Sequence, residues 1–301
     1  MSANEEIKDH KVSIIIPTYG RPEKLEKCLL SLNAQKYKNF EVILVDDNGE
    51  NSENGLVTEA RVGKLESKIN YSLKYIKLKE NQGACIARNE GVKASSSDFI
   101  TFLDDDDEYL EDKIEKQIAF MLTNDLDLSL CGMHINKNGK LVESPRCYPI
   151  GDNLKDFVYD GNAVTAMIMV KKSLFEKVGG FSITKKYQDH ILVFKILEEK
   201  PKVGLLNDKL YIYNLHKDGS ISKSKKVYDS ILLRHKYERK WIDLLNSDQI
   251  YFVKFRQFNE LIVYSTKVLD IINFYTILDF KYKIKFIFSV KLYKSIFRRF
   301  F

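Results

Sequence analysis

Residues 98–114 read DFITFLDDDDEYLEDKI, and the change of character after Leu103 decides the fold. The run Phe99-Ile100-Thr101-Phe102-Leu103 is apolar enough for a strand buried on both faces. Asp104, Asp105, Asp106 and Asp107 follow with no spacer. Four adjacent carboxylates repel one another. At the end of a buried strand they are costly unless a cation or a set of N–H donors compensates them. Hard oxygen ligands of this kind suit Mg²⁺ or Mn²⁺, ions often shared with a substrate phosphate. The competing reading is a solvated acidic loop capping the next helix, whose N-terminal end favours acidic residues. An EF-hand calcium loop fails on spacing. It needs Gly at its sixth position, which here is Tyr109 counting from Asp104 and Glu111 counting from Asp106.

Upstream, strand-like and helix-like segments alternate. Val12-Ser13-Ile14-Ile15-Ile16 is a short buried-strand run closed by Pro17. Residues 22–33 carry Leu25, Cys28, Leu29 and Leu32 at helical spacing, and Pro22 suits a first helical turn. Val42-Ile43-Leu44-Val45 is a second continuous apolar strand, ending in Asp46-Asp47-Asn48-Gly49. Residues 73–78 predict a third strand, 84–93 a helix and 98–103 a fourth strand. Apolar strands separated by helices indicate an α/β fold with a parallel sheet covered on both faces. Ligands in such sheets bind beyond the carboxyl ends of the strands. Pro17-Thr18-Tyr19, Asp46-Asp47 and Asp104 to Asp107 all lie at carboxyl ends, so three groups distant in sequence are expected to converge on one crevice. The turn PTYGRP has a single glycine, which excludes both a Gly-x-Gly-x-x-Gly dinucleotide fingerprint and a P-loop.

Downstream the pattern loosens. Strands are predicted near 127–132 and 164–170, a helix over 171–178, a turn at Gly179-Gly180-Phe181 and an amphipathic helix over 188–198. Two short strands are predicted within 203–213. From about residue 222 the composition shifts to long helical stretches rich in Lys, Tyr and Phe. A boundary near 220 therefore divides the chain into a domain of residues 1–220 and a helical C-terminal extension of residues 221–301.

With 301 residues, 44% of them hydrophobic and 30% charged, the composition is that of a soluble globular protein. The net charge of +6 decides little by itself. Cys28, Cys85, Cys131 and Cys147 are scattered without metal-binding spacing and read as reduced, packing thiols in a cytosolic chain. The polar start MSANEEIKDHK predicts no signal peptide, and no run reaches the roughly 18 apolar residues of a membrane span.

The ordered series VSIIIPTYGRPEKLEKCLLSL, QKYKNFEVILVDDNG, NQGACIARNEGV, DFITFLDDDDEYLEDKI, VGGF with QDHILVFKIL, and HKDGSIS resembles glycosyltransferase family 2 over roughly residues 11–220. The resemblance implies the GT-A fold, a Rossmann-like, mainly parallel sheet flanked by helices. It also implies inverting transfer of a sugar from a nucleotide diphosphate, a UDP-sugar, to a hydroxyl. A divalent ion, Mn²⁺ or Mg²⁺, would stabilise the charge developing on the diphosphate. By the family's Asp-x-Asp element, Asp104 and Asp106 have the right spacing, and Asp105 gives an equally good reading. Register on the segment that follows makes Asp106 the direct metal ligand, with Asp104 or Asp105 meeting ribose or sugar hydroxyls. Pro17, Thr18, Tyr19 and the adjoining Arg21 resemble the donor-binding turn. Asp47, with Asp46 as the alternative, resembles the acid that accepts from uracil N3–H; Asp-Asp-Asn-Gly is also a good turn former. Asn81, Gly83, Arg88 and Asn89 form the NxGxxxxRN element, in which Arg88 either pairs with the carboxylates or reaches the diphosphate. The family places its general base in a Glu-Asp pair at a helix start. Here the pair is Gln188-Asp189, so Asp189 is the implied base, or else simply the helix N-cap. His216 matches a position near the metal or diphosphate, or else is a structural His.

The end of the chain, FKYKIKFIFSVKLYKSIFRRFF, interleaves Lys281, Lys283, Lys285, Lys291, Lys294, Arg298 and Arg299 with aromatics. That pattern fits a segment bound to an anionic membrane surface, against the alternatives of a docked helix or a nucleic-acid patch. A peripheral enzyme at the cytoplasmic face of the plasma membrane, acting on a glycan or lipid-linked oligosaccharide and not on nucleic acid, would use such a tail. Two other classes compete. A sugar-phosphate nucleotidyltransferase would show a glycine-rich basic loop after the first strand, which PTYGRP lacks. A non-catalytic glycan-binding scaffold would tolerate loss of Asp106 and Asp189, and both are present.

Overall fold

The computed structural model describes residues 9–215 and 227–264. One mixed sheet organises them, built from β1 (Val12–Thr18), β2 (Phe40–Asp46), β3 (Ser72–Lys77), β4 (Phe99–Phe102), β5 (Glu108–Tyr109), β6 (Leu128–Lys137), β7 (Lys140–Val142), β8 (Ile168–Lys171) and β9 (Val203–Leu215). The strand order is β3-β2-β1-β4-β8-β6-β9-β5, with β7 on β6. β1, β2 and β4 are buried at every position, as their unbroken apolar runs require. β1 pairs in parallel with β2 on one side and β4 on the other, and β2 pairs in parallel with β3. The chain therefore builds outward from β1 to β3 and then returns to the other side of β1. The gap at the carboxyl ends of β1 and β4 is a topological switch point, where such sheets bind ligands.

Helices cover the sheet: α1 (Pro22–Ser31), α2 (Glu53–Leu65), α3 (Ala84–Ala94), α4 (Lys113–Thr123), α5 (Leu154–Asp160), α6 (Lys172–Lys177) and α7 (Gln188–Glu198). α1 starts on Pro22 and buries Leu25, Cys28 and Leu29, the predicted stripe. α3 lies so close to the sheet that a Cβ on Gly91 would stand 2.4 Å from Ile15 Cγ2 and 3.2 Å from Val45 Cγ2. A side chain there would lift the helix and with it Arg88, one turn earlier. The four cysteines are free and buried.

The expectation of two short strands over 203–213 is wrong: β9 is one strand of 13 residues. Asn207-Asp208 is taken up as an irregularity within it, since Cys131 pairs with Leu206 and the adjacent Gly132 with Lys209. A Cβ at Gly132 would lie 3.0–3.2 Å from the carbonyl oxygens of Asp208, Asn207 and Cys147, so the glycine admits the bulge. β9 then continues to pair antiparallel with β5, directly after the acidic run.

Beyond β9, α8 (Tyr228–Lys240) packs on α7, and α9 (Ser247–Tyr264) packs on α5 and α8. Leu245 and Val253 join the main core, while Phe255, Phe258, Leu261 and Ile262 form a separate apolar cluster. Among the described residues no helix is long and apolar enough to cross a membrane. His216 and the basic tail of residues 281–301 lie outside the described residues.

Candidate active site

Thr18 closes β1 in register with Asp46 at the end of β2, so the PTYGRP and DDNG turns leave the sheet side by side. They are tied together. The Asp47 N–H donates to the Thr18 carbonyl at 2.9 Å, and the N–H of Gly20, a residue at φ +70°, donates to Asn48 Oδ1 at 2.7 Å. Tyr19 stands 53% exposed at the rim. Thr18 Oγ1 donates to Asp105 Oδ2 at 2.8 Å, which joins the first turn to the acidic run.

Within that run the side chains alternate. Asp105 and Asp107 are each 1% exposed, whereas the carboxylates of Asp104 and Asp106 keep 28% and 13% of their surface open. Asp105 is a brace, bonded to Thr18 and, at 2.6 Å, to Arg21 Nη2. Burial pushes its carboxyl up to about 6 against the pull of Arg21 and Thr18. Asp107 Oδ1 accepts the Asn214 N–H at 2.8 Å, and Oδ2 is buried without a partner. Burial and the neighbouring Asp104 push that carboxyl well above the usual range. The compensation that four adjacent acids demand is thus met at Asp105 by Arg21 and Thr18, and at Asp107 by the Asn214 N–H and an upward shift of its carboxyl. Asp106 pairs with Arg21 Nη1, and the Asp106 carbonyl accepts from Asn214 Nδ2 at 2.8 Å.

Both carboxylates of the DDNG turn are engaged within the protein. Asp47 accepts the backbone N–H groups of Gln82 and Gly83 at 2.7 and 2.8 Å and Asn81 Nδ2 at 3.1 Å. Asn81 and Gly83 therefore form, with Asp47, the brace of the turn that opens α3. Asp46 accepts from Asn48 and, at 2.6 Å, from Tyr75 Oη. Each carboxylate oxygen has more than one acceptor site, so these bonds do not exhaust them.

Arg88, 3% exposed on α3, donates through Nη2 to Asp104 Oδ1 at 2.5 Å, and its guanidinium carbon lies 5.5 Å from the centre of the Phe181 ring. Its Nε and Nη1 are buried without hydrogen-bond partners. Buried unpaired donors cost about 1–3 kcal/mol each, which an anionic ligand would recover. Asp189 is the second residue of α7. It is half-buried, and its Oδ1 accepts the His190 N–H at 2.8 Å. Burial raises its carboxyl to about 6, against His190 and the positive charge of Arg88, with Asp104 adding to the rise. Asp189, Arg88 and Asp104 thus lie within electrostatic reach of one another. Gln188 accepts from Cys85 Sγ at 3.0 Å, so the residue beside Asp189 is neutral and held to the opening of α3.

Hard oxygen donors at Asp104 and Asp106 together with the unpartnered N–H groups of Arg88 fit a divalent ion carrying a diphosphate. Among the described residues no three His, Cys, Asp or Glu side chains gather as a metal cage. Sequence reasoning missed Asn214, Tyr75 and Tyr213. The Tyr213 hydroxyl is raised to about 12 by burial and then by Asp107, Asp104, Asp106 and Asp189, so β9 lines the same crevice.

The sequence pattern of glycosyl transferase family 2 matches residues 13–185. The chain belongs to that family. As a family 2 member it is 36% identical over 143 residues to an uncharacterised glycosyltransferase of Rickettsia conorii, covering 47% of this chain and 22% of that protein. It is 28% identical over 162 residues to the putative teichuronic acid biosynthesis glycosyltransferase TuaG of Bacillus subtilis, covering 52% and 61%. The chain thus spans less than two thirds of these relatives' length. The S. aureus TarS fragment 1–349, solved with UDP-GlcNAc, superposes with a TM-score of 0.59 at 19% identity, over 96% of this chain and 79% of that one. The GT-A-type architecture expected of a family 2 chain is therefore the one observed.

Proposed function

We propose that the protein is an inverting, metal-dependent glycosyltransferase that moves a sugar from a UDP-sugar to a hydroxyl of a glycan or lipid-linked oligosaccharide in cell-surface polysaccharide synthesis. The observation that carries the reading is one crevice holding Asp189 raised to about 6, the unpartnered donors of Arg88 and the open carboxylates of Asp104 and Asp106. Tyr19 and the Thr18 backbone receive the base, with Asp47 accepting from its N3–H; Asp46, held by Asn48 and Tyr75, shapes that turn. Asp106 and Asp104 hold Mn²⁺ or Mg²⁺, which when bound supplies Lewis-acid stabilisation of the leaving diphosphate. Arg88 and Arg21 add positive charge there, and Asp105 keeps the acidic run in register. The acceptor oxygen attacks C1 while Asp189 takes its proton. The bond from C1 to the β-phosphate oxygen breaks, and UDP leaves with the electron pair. One displacement inverts C1.

The relatives support the substrate class: TarS was solved with UDP-GlcNAc, and TuaG is named for teichuronic acid biosynthesis. The sequence of the tail supports attachment to the cytoplasmic leaflet. The test is UDP release from a panel of UDP-sugars in Mn²⁺, with and without a chelator. Release that depends on Mn²⁺ and falls away in Asp106→Ala is the expected result. Chelator-insensitive release, or none from any nucleotide sugar, overturns it.

A further inference from the structure

Among the described residues, the Asp189 carboxylate is bonded to backbone at its own helix end. Its position is therefore set by where α7 begins. Tyr187, the residue before Gln188-Asp189, occupies the left-handed region at φ +60° and ψ +23° and caps the helix, its carbonyl accepting the Ile191 N–H at 2.8 Å. A bulky residue in that region is a genuine outlier, strained unless surrounding contacts sustain it. No side chain caps this helix end, so the contacts that sustain it lie elsewhere.

They come from α8 and α9. Tyr187 Oη donates to Glu260 Oε1. The Arg234 guanidinium carbon lies 4.1 Å from the centre of the Tyr187 ring, and the His190 ring meets that ring edge-on at 5.5 Å. Glu260 Oε2 bonds His235 Nε2 at 2.8 Å and lies 3.2 Å from Arg234 Nη2. Burial would raise the Glu260 carboxyl, but Arg234, His235 and Tyr187 outweigh it and hold it down to about 2. Arg234 Nε also lies 2.9 Å from Glu238, which is gripped by Arg256 and Gln257 at 2.9 and 2.7 Å. Nearby, the Lys185 N–H donates to Ser230 Oγ at 3.0 Å. Burying so many charges is a poor route to stability, because desolvation offsets the attraction. Directional bonds are what such a network adds, and here they end on the one strained residue that precedes the base.

We propose that Tyr187, Arg234, His235 and Glu260 are positioning residues through which the C-terminal helices hold Asp189 in line for proton transfer. This rests on the reading of Asp189 as the base. The donor half of the site is built from β1, β2, α3 and the acidic run, whereas the bonds of the cluster run among Tyr187, α8 and α9. The signature is therefore a split: proton transfer suffers and donor binding does not.

The test uses the full chain with Mn²⁺ and the UDP-sugar that the panel shows to be hydrolysed fastest, water serving as acceptor. Glu260→Gln and Tyr187→Phe should each lower kcat at least tenfold, with donor KM within about twofold of wild type and an unchanged circular dichroism spectrum. A kcat within twofold of wild type overturns the proposal. So does a parallel loss of kcat and donor affinity, which marks a merely structural cluster. If Glu260→Gln does not fold, Tyr187→Phe, which removes only the hydroxyl, decides alone. Asp189→Asn separates the two readings. If it keeps transfer, the assignment of the base fails. If it loses transfer with donor binding intact while the cluster variants turn over normally, only the positioning proposal fails.

Discussion

Arg88 and Asp104 meet at 2.5 Å where α3 faces the end of β4, and this pair uses only one of the three guanidinium nitrogens. The other two are buried and unpartnered, beside carboxylates that a bound cation would neutralise. Lys retains the charge but has a point-like ammonium in place of the planar fork. Arg88→Lys is therefore expected to raise the donor KM at least tenfold, about 1.4 kcal/mol, in a UDP-sugar titration. A KM within twofold of wild type would show that Arg88 serves only Asp104.

Asp106 keeps a partly open carboxylate on the crevice side of the run. Asp106→Ala should abolish Mn²⁺-dependent UDP binding in calorimetry and reduce turnover more than tenfold, with the fold intact. Because Arg21 loses a partner in the same variant, Asp106→Asn is the control: it keeps the shape, donates poorly to a metal and should behave alike. Turnover within tenfold of wild type in both would remove Asp106 from the metal site.

A carboxyl raised to about 6 is a base only above that pH. The pH profile of kcat/KM, which reports the free enzyme, should fall as pH drops through about 6 and level off above it. Asp189→Asn should flatten that limb and lower the rate by roughly 10²–10⁴. Asp105 is also raised to about 6, so a limb that persists in Asp189→Asn would move the titration to Asp105.

Lys113 is fully buried, donating to Thr101 Oγ1 at 2.5 Å with its ammonium 4.3 Å from the centre of the Tyr109 ring. Burial lowers its pKa from 10.5 to about 8. Between those values the unfolded chain binds more protons than the folded one, so this group makes stability rise with pH across that window. Lys113→Met removes the buried charge. It should stabilise the protein at pH 7 by on the order of 1–3 kcal/mol in urea denaturation, and its advantage should shrink as pH climbs past 8. A variant less stable than wild type at pH 7 would show the Thr101 and Tyr109 contacts to outweigh desolvation.

The tail prediction rests on sequence alone. Residues 281–301 should bind anionic vesicles with an affinity that weakens as salt rises, since part of the attraction is screened charge. A chain ending before residue 281 that floats with such vesicles as well as the full chain does would end the membrane reading.

Sequence alone determined the local and periodic features. Unbroken apolar runs such as Ile14-Ile15-Ile16 and Val42 to Val45 have one low-energy use, a strand buried on both faces, and their polar endings mark the ligand edge. The start of the helix at Gln188 and the stripe of α1 were legible for the same reason, since each depends on neighbours within a turn. Tertiary structure alone decided which acids of the run face inward, because Asp105 and Asp107 take their partners from Thr18 and Asn214, far away in the chain. It decided that residues 203–215 form one irregular strand and not two short ones, because that depended on a glycine in the partner strand. It also joined Glu260 to Tyr187, in helices that no pattern relates. Partners chosen across 73 residues leave no period in the sequence, and only packing brings them within hydrogen-bond reach.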